Sequence, residues 1–370
     1  MKKILIAPNS FKESASSVEV AELFYKYLKS PNHEFIIKPI SDGGDGFLSV
    51  CKKNYNLEII KFVVPSPFIP QKNFNVPVGY SLKLKSVFID SSEILGLKKI
   101  PANKRHPLLL NSSGLGELLN KIKLRFNKES LHKIVVGIGG TGTIDMGIGS
   151  LSSLGLKLID RYGKELAPMP KNFVNTVTIE YLEQNFPYKI EMIIDVDNPL
   201  LGKNGGIKIF GSQKGATEND LNIIEDGIKN ILNIFIKDKM IEDKFFLSGA
   251  GGGIPAGLSL FLKTKSKSSQ DFILNDLNLK ECRDINYLIT GEGKFDSQSF
   301  YNKGTGILLN QFKNIERIFL CCGIIDKSCN FPPNVYPIQF VDFFKNYEES
   351  LTNIGKGIEL ACSKIQQIIS

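Results

Sequence analysis

The chain has 370 residues, 42% of them hydrophobic and 23% charged, and a formal net charge of +8. That length exceeds one ordinary core and predicts two domains, and the balance excludes a disordered or collagen-like chain. The positive excess is scattered lysine, with Arg105, Arg125, Arg161, Arg283 and Arg317 the only arginines, which excludes the clustered basic face of a nucleic-acid binder while suiting anionic substrates.

The apolar start ends at Pro8-Asn9, too soon for a signal peptide, and no run approaches the length that spans a bilayer. Short β-branched runs predict strands at 3–7, 35–40, 86–89, 133–138, 191–194, 287–290, 317–322 and 337–341. Their weak alternation fits strands buried on both faces. Helical spacing at 17–28, 115–122, 220–235 and 351–369 separates them. Strand and helix in alternation predict an α/β fold with largely parallel sheets. The proline-punctuated stretch 57–84 predicts a small antiparallel or mixed sheet and a change of domain near residue 60. The strand–helix rhythm of the start returns at Tyr287. The expected architecture is therefore a Rossmann-like parallel-sheet domain made by both chain ends, 1–60 and 281–370, with an inserted mixed α/β domain at 61–280. The segment 264–269, rich in lysine and serine, is expected to be an exposed polar loop.

The cysteines Cys51, Cys282, Cys321, Cys322, Cys329 and Cys362 form no CxxC pair, and His33, His106 and His132 are too dispersed for a finger-type zinc site. Reduced thiols and a cytoplasmic location follow as the expectation.

Chemistry-bearing residues gather just past the predicted strands. After the first come Asn9, Ser10 and Lys12, a set that suits an oxyanion at a helix start, although taken alone the serines are explained by a plain helix cap with Lys12 in solvent. Ser41-Asp42-Gly43-Gly44-Asp45-Gly46 follows the second; it lacks EF-hand spacing. Past 133–138, Gly137, Gly139 and Gly142 satisfy G-x-G-x-x-G, with Asp160 near the ribose position of a dinucleotide fold. That match is short, and Asp145 would oppose a bare pyrophosphate. Past 191–194, Asp195 and Asp197 share one face of an extended strand. Two neighbouring carboxylates need a cation between them, and Mg²⁺ with phosphate ligands meets that need; an Asx-type turn is the plain alternative. Glu292 and Asp296 follow 287–290. No Walker A motif, kinase HRD or DFG signature, or hydrolase triad is present. Ligands of open α/β sheets bind at the C-terminal ends of parallel strands, so loops of this composition together point to a phosphate-handling site.

At these same residues the chain resembles the bacterial type I glycerate kinase family. The resemblance rests on Ala7-Pro8-Asn9-Ser10-Phe11-Lys12, Ser41 to Gly46, Arg105-His106-Pro107-Leu108, Gly114-Leu115-Gly116-Glu117-Leu118, Gly137 to Gly147, Asp195 to Ala216, and Ile289 to Gln298. The matches run in order from residue 7 to about 303. The chain departs from the family pattern at Asn9 for an acid, Glu13 and Met146 for glycines, and Asp45 for the usual Glu. The family's G-K-x-P-x-G stands here as Asn302-Lys303-Gly304-Thr305-Gly306.

The resemblance implies transfer of a phosphoryl group from ATP, with Mg²⁺, to a hydroxyl of D-glycerate, giving 2-phosphoglycerate in preference to 3-phosphoglycerate. It implies Asp195, Lys12, Asp42 and Asp296 as catalytic residues. Ser10, Gly139, Gly140, Thr141, Thr143, Gln213, Lys214 and Glu292 would hold the nucleotide. Arg105 and Asn198 would hold the substrate, and Asp195 and Asp197 the metal. Lys12 and Lys214 would neutralise phosphate charge, and the planar fork of Arg105 suits a carboxylate, though a surface arginine beside Pro107 explains it equally. The expected partner is a small molecule, with no nucleic acid and no membrane; a homo-oligomer is left open. Two other readings stand beside this one: a nicotinamide-dependent oxidoreductase built on 137–142, and a catalytically silent regulator that kept the pocket.

Overall fold

The computed structural model of the chain describes residues 1–11, 14–66, 72–181, 186–196, 198–238, 247–300 and 303–369. Their contacts form two compact units. A terminal unit comprises Met1–Asp42, Ser49–Asn56 and Ser268–Ser370, and a middle unit Gly43–Leu48 and Leu57–Lys267.

The terminal unit is built on a five-stranded parallel sheet. Its order across the sheet is Val335–Gln339, Arg317–Cys322, Tyr287–Thr290, Lys2–Ile6 and His33–Ile37. Inside the central strands Ile4, Leu5, Leu288, Ile289, Phe319 and Leu320 are apolar and 0% exposed, as in strands covered on both faces. Helices Ser17–Leu28 and Ile354–Ile369 cover one face, where Val20, Phe24, Ile358 and Ile365 pack with Ile4, Ile6, Ile289 and Phe319. The first helix starts at a capping box: Ser16 accepts from the Glu19 N–H while Glu19 accepts from that of Ser16. The last expected helix, 351–369, is two helices, Tyr347–Thr352 and Ile354–Ile369, broken at Asn353. There the Asn353 side chain donates to the Glu349 carbonyl at 3.0 Å, a local bond that competes with helix continuation.

The sheet grows in two directions from Lys2–Ile6. The chain first adds His33–Ile37 on one side, and after the middle unit returns to add Tyr287–Thr290 on the other. A reversal of this kind sets a ligand crevice at the C-terminal ends of Lys2–Ile6 and Tyr287–Thr290.

The middle unit holds a six-stranded mixed sheet in the order Thr264–Ser268, Lys189–Ile194, Lys133–Ile138, Ser86–Asp90, Asn73–Ser81, Glu58–Pro65. The strands Lys189–Ile194, Lys133–Ile138 and Ser86–Asp90 are parallel. The antiparallel or mixed sheet expected of the proline-rich stretch is found as an antiparallel hairpin at one edge of this larger mixed sheet. The expected polar loop at 264–269 is corrected: Thr264–Ser268 is the opposite edge strand. Its lysines misled because an edge strand is kept soluble by charge; Lys267 pairs with Glu191 of the neighbouring strand at 3.1 Å. Helices Ser113–Arg125, Ile148–Ser153 and Glu218–Lys237 bury their apolar sides in one core with the sheet. A separate antiparallel trio, Glu165–Leu166, Leu156–Ile159 and Thr178–Tyr181, stands beside it.

Candidate active site

In the middle unit three parallel strands end side by side, each followed by a loop with polar side chains. Ser86–Asp90 ends in a carboxylate that is 1% exposed. Asp90 accepts from the Ser92 N–H at 2.9 Å, the Ser92 hydroxyl at 2.6 Å and the Gly46 N–H at 3.1 Å. Burial pushes its pKa up to about 6 against the pull of the Ser92 bonds. The 43–46 loop is thereby fastened to the sheet. It lies against the next loop: Gly140 has φ +64°, and a Cβ there would overlap Asp45 Oδ1. Asp45 pairs with Lys98 at 2.8 Å.

The second loop, 139–145, follows Lys133–Ile138. Lys214, 71 residues further along the chain, reaches into it and donates to the Thr143 carbonyl at 2.9 Å and the Thr141 hydroxyl at 3.2 Å. Lys214 is 5% exposed. Burial lowers its pKa to about 8, and Asp145 opposes that shift. The Thr143 hydroxyl is buried with no partner among the described residues. The backbone N–H groups of Gly140, Thr141 and Thr143 also donate to nothing there. Successive unpaired N–H groups around a left-handed glycine make a concavity suited to an oxyanion. Asp145 does not open into it. The wholly buried carboxylate accepts from the Ser112 N–H and hydroxyl at 2.7 and 2.8 Å, Gly149 N–H at 2.9 Å and Gly147 N–H at 3.3 Å. Burial raises its pKa and these bonds oppose the rise.

This geometry overturns the nicotinamide reading. The dinucleotide fingerprint needs a helix opening at its third glycine, yet the helix begins only at Ile148. Asp160 sits in a turn of the antiparallel trio, where it accepts from the N–H groups of Tyr162 and Lys164 at 2.8 and 2.9 Å.

Arg105 is half-buried beside Lys214. A Cβ on Gly215 would lie 2.7 Å from the Arg105 carbonyl, and Arg105 Nε donates to the Ile100 carbonyl at 3.2 Å. Gln213 is exposed on the turn that delivers Lys214. Asp195 is half-buried directly past Lys189–Ile194. Asp197, expected beside it, lies outside the described residues. Asn198 shapes its own loop, donating to the Asn204 carbonyl at 3.0 Å and accepting at its own carbonyl from Gly249. Among the described residues no three acids, histidines or cysteines cluster as a self-sufficient metal cage. A Mg²⁺ held mainly by phosphates needs only one or two carboxylates, which Asp195 fits.

In the terminal unit the loops after Lys2–Ile6 and Tyr287–Thr290 are tied together. The Asn9 N–H donates to the Gly291 carbonyl at 2.9 Å, and the Thr290 hydroxyl to the Ala7 carbonyl at 2.8 Å. Asn9 is 5% exposed; its Oδ1 accepts from the Ser10 N–H at 2.8 Å and its Nδ2 approaches Asp42 Oδ2 at 3.4 Å. Ser10, Asp42 and Glu292 are half-buried at this sheet edge. Asp296 closes a turn by accepting from the Gln298 N–H at 3.0 Å. Lys12 lies outside the described residues.

Sequence reasoning missed Asp90, although its signal was present: an apolar strand ending in Asp, the same pattern as at Asp195. Among the described residues no helix is long and apolar enough to cross a membrane.

Comparison with known proteins gives a consistent picture. The model of the glycerate kinase family matches residues 4–369. The Escherichia coli protein named glycerate 2-kinase is 35% identical over 314 residues, covering 81% of this chain and 79% of that protein. A glycerate kinase of Neisseria meningitidis is 28% identical over 378 residues, covering 100% and 99%. A crystal structure from Salmonella typhimurium LT2, provisionally assigned as glycerate kinase 2, superposes with a TM-score of 0.77 at 26% identity, covering 99% of this chain and 98% of that one.

Proposed function

Because the chain belongs to the glycerate kinase family, we propose how its own residues carry out that family's reaction. It is a phosphotransferase with an alcohol group as acceptor. The reaction is transfer of the terminal phosphoryl of ATP to a hydroxyl of D-glycerate, at the 2-position in keeping with the name of the Escherichia coli relative. The observation that carries the site assignment is the buried Lys214 ammonium inside a loop of unpaired N–H groups.

Catalysis of phosphoryl transfer is mostly positioning and charge neutralisation. Lys214, the N–H groups of Gly140, Thr141 and Thr143, and the Thr143 hydroxyl hold phosphoryl oxygens, with Gly139 and Gln213 at the rim. Arg105 keeps its terminal nitrogens for the glycerate carboxylate, and Asn198 is assigned to the same substrate. Asp195 takes the proton of the attacking hydroxyl or holds Mg²⁺, and Asp197 joins it in the metal role. When bound, Mg²⁺ neutralises charge on the phosphates. Ser10, Lys12, Asp42, Glu292 and Asp296 are assigned to the same reaction, as phosphate donors or as carboxylates. The terminal unit, with its parallel sheet, is the Rossmann-like domain, and residues 268–280 are counted to it. A cytoplasmic location is supported by Cys282, Cys321, Cys322 and Cys362, buried as free thiols.

The test is a coupled assay with ATP, Mg²⁺ and D-glycerate, with ³¹P NMR of the product. ADP release that depends on glycerate, with a phosphorus signal on the 2-hydroxyl, is expected. Binding of both ligands without turnover would identify a silent regulator instead. Binding of neither would end the reading.

A further inference from the structure

The terminal unit holds a second feature at its crevice, in a motif to which no role has been given. The helix Gly304–Gln311 starts there: a Cβ on Gly304 would lie 3.1 Å from Asn9 Nδ2 and 2.9 Å from Ile40 Cδ1. Its first intrahelical bond runs from the Ile307 N–H to the Lys303 carbonyl. The N–H groups of Gly304, Thr305 and Gly306 precede it and so have no intrahelical acceptor. No side chain caps this end, and among the described residues none of the three donates elsewhere. Independently, the Thr305 hydroxyl is 0% exposed and has no partner among the described residues. Helical side chains lean toward the N-terminus, so the hydroxyl lies at the same end as the unpaired N–H groups. Buried polar groups are almost always satisfied; these point to a ligand.

We propose that the first turn of Gly304–Gln311 is an oxyanion-binding site. The N–H groups of Gly304, Thr305 and Gly306 and the Thr305 hydroxyl are its donors, and the positive end of the helix dipole adds to them. Lys303 brings a cation at the N-cap position. Asp42, close to the Asn9 amide, supplies an acceptor for a neighbouring hydroxyl. The oxyanion is a phosphoryl oxygen of the nucleotide or the carboxylate of the hydroxy acid. Which of these binds rests on the kinase reading; the site itself does not.

Thr305→Val removes the hydroxyl at nearly constant shape, and Gly304→Ala places a methyl beside Asn9. Thr305→Val is expected to raise one KM about tenfold, the loss of one good hydrogen bond, and Gly304→Ala to raise the same KM by crowding the mouth of the turn. A rise confined to glycerate assigns the carboxylate, and a rise confined to ATP assigns the phosphate. Both KM values within twofold of the parent in variants that still melt cooperatively would overturn the site. Should the variants not fold, backbone amide resonances of Gly304, Thr305 and Gly306 are followed in the parent protein during separate titrations with inorganic phosphate and D-glycerate. Shifts with either support the site, even in a protein that shows no turnover; no shift with either removes it.

Discussion

Lys214 donates its ammonium to the Thr143 carbonyl across 2.9 Å, from a position where only 5% of the residue meets solvent. A cation buried this deeply titrates early, and its pKa is lowered to about 8. The protonated form is the one that holds phosphate. The ATP-dependent kcat/KM is therefore expected to fall as pH rises through about 8. Lys214→Arg, which keeps its charge throughout, should lose that basic limb, and Asp145→Asn should move it to lower pH by removing the opposing carboxylate. A limb that stays in place in both variants would detach it from Lys214. Stability moves the other way. Because the folded-state pKa lies below the ordinary 10.5, the unfolded chain binds the extra proton between the two values, and stability should climb across that window.

Asp90 gives a second titration with its own sign. Burial holds the folded-state pKa at about 6, above the ordinary 3.8. Between those values the folded state keeps a proton that the unfolded chain has released. The contribution is therefore most favourable below 3.8 and is lost as pH rises through about 6. The loss is about 3 kcal/mol, at about 1.4 kcal/mol for each pH unit between the two values. Urea unfolding of the parent and Asp90→Asn at pH 4 to 7 measures it. The parent should lose stability relative to the variant across that range. A constant difference would mean that Asp90 does not titrate there.

The strands Lys133–Ile138, Tyr287–Thr290 and Arg317–Cys322 were legible to the residue because each is a short apolar run covered on both faces. The helix Ser17–Leu28 was equally legible from its spacing and its capping serine. Thr264–Ser268 was not, since lysine and serine on an edge strand carry no hydrophobic pattern. Nor was the place of the Glu58–Pro65 hairpin in a larger sheet, which depends on a pairing with residues brought from elsewhere in the chain. Within the candidate site, the glycine loop and Lys214 each stood out in the sequence. That one encloses the other is a contact across 71 residues, which local spacing does not encode. The saturation of Asp145 by Ser112, Gly147 and Gly149 was hidden for the same reason.

Asp195 is half-buried just beyond the strand Lys189–Ile194, at the same sheet edge as the Lys214 loop. Asp195→Asn is expected to lower kcat by about 10²–10⁴-fold if it accepts the hydroxyl proton. Should its work be to hold Mg²⁺, part of the loss will return as Mg²⁺ is raised, because the weakened site fills by mass action. Turnover within a few-fold of the parent at every Mg²⁺ concentration would remove Asp195 from both roles.

Arg105 separates a geometric role from a merely electrostatic one. Its Nε is committed to the Ile100 carbonyl at 3.2 Å, which fixes the plane of the guanidinium and leaves the outer nitrogens for a carboxylate. Arg105→Lys keeps the charge but loses the fork, so it should raise the KM for glycerate by about tenfold or more while leaving that for ATP near the parent value. Arg105→Ala should raise it further. The backbone contact of Arg105 with Gly215 survives either change, so the Lys214 loop should stay in place and the basic limb near pH 8 should persist. If Arg105→Lys binds glycerate as well as the parent does, the guanidinium does not hold the substrate carboxylate, and the arginine serves only to brace the chain at Ile100.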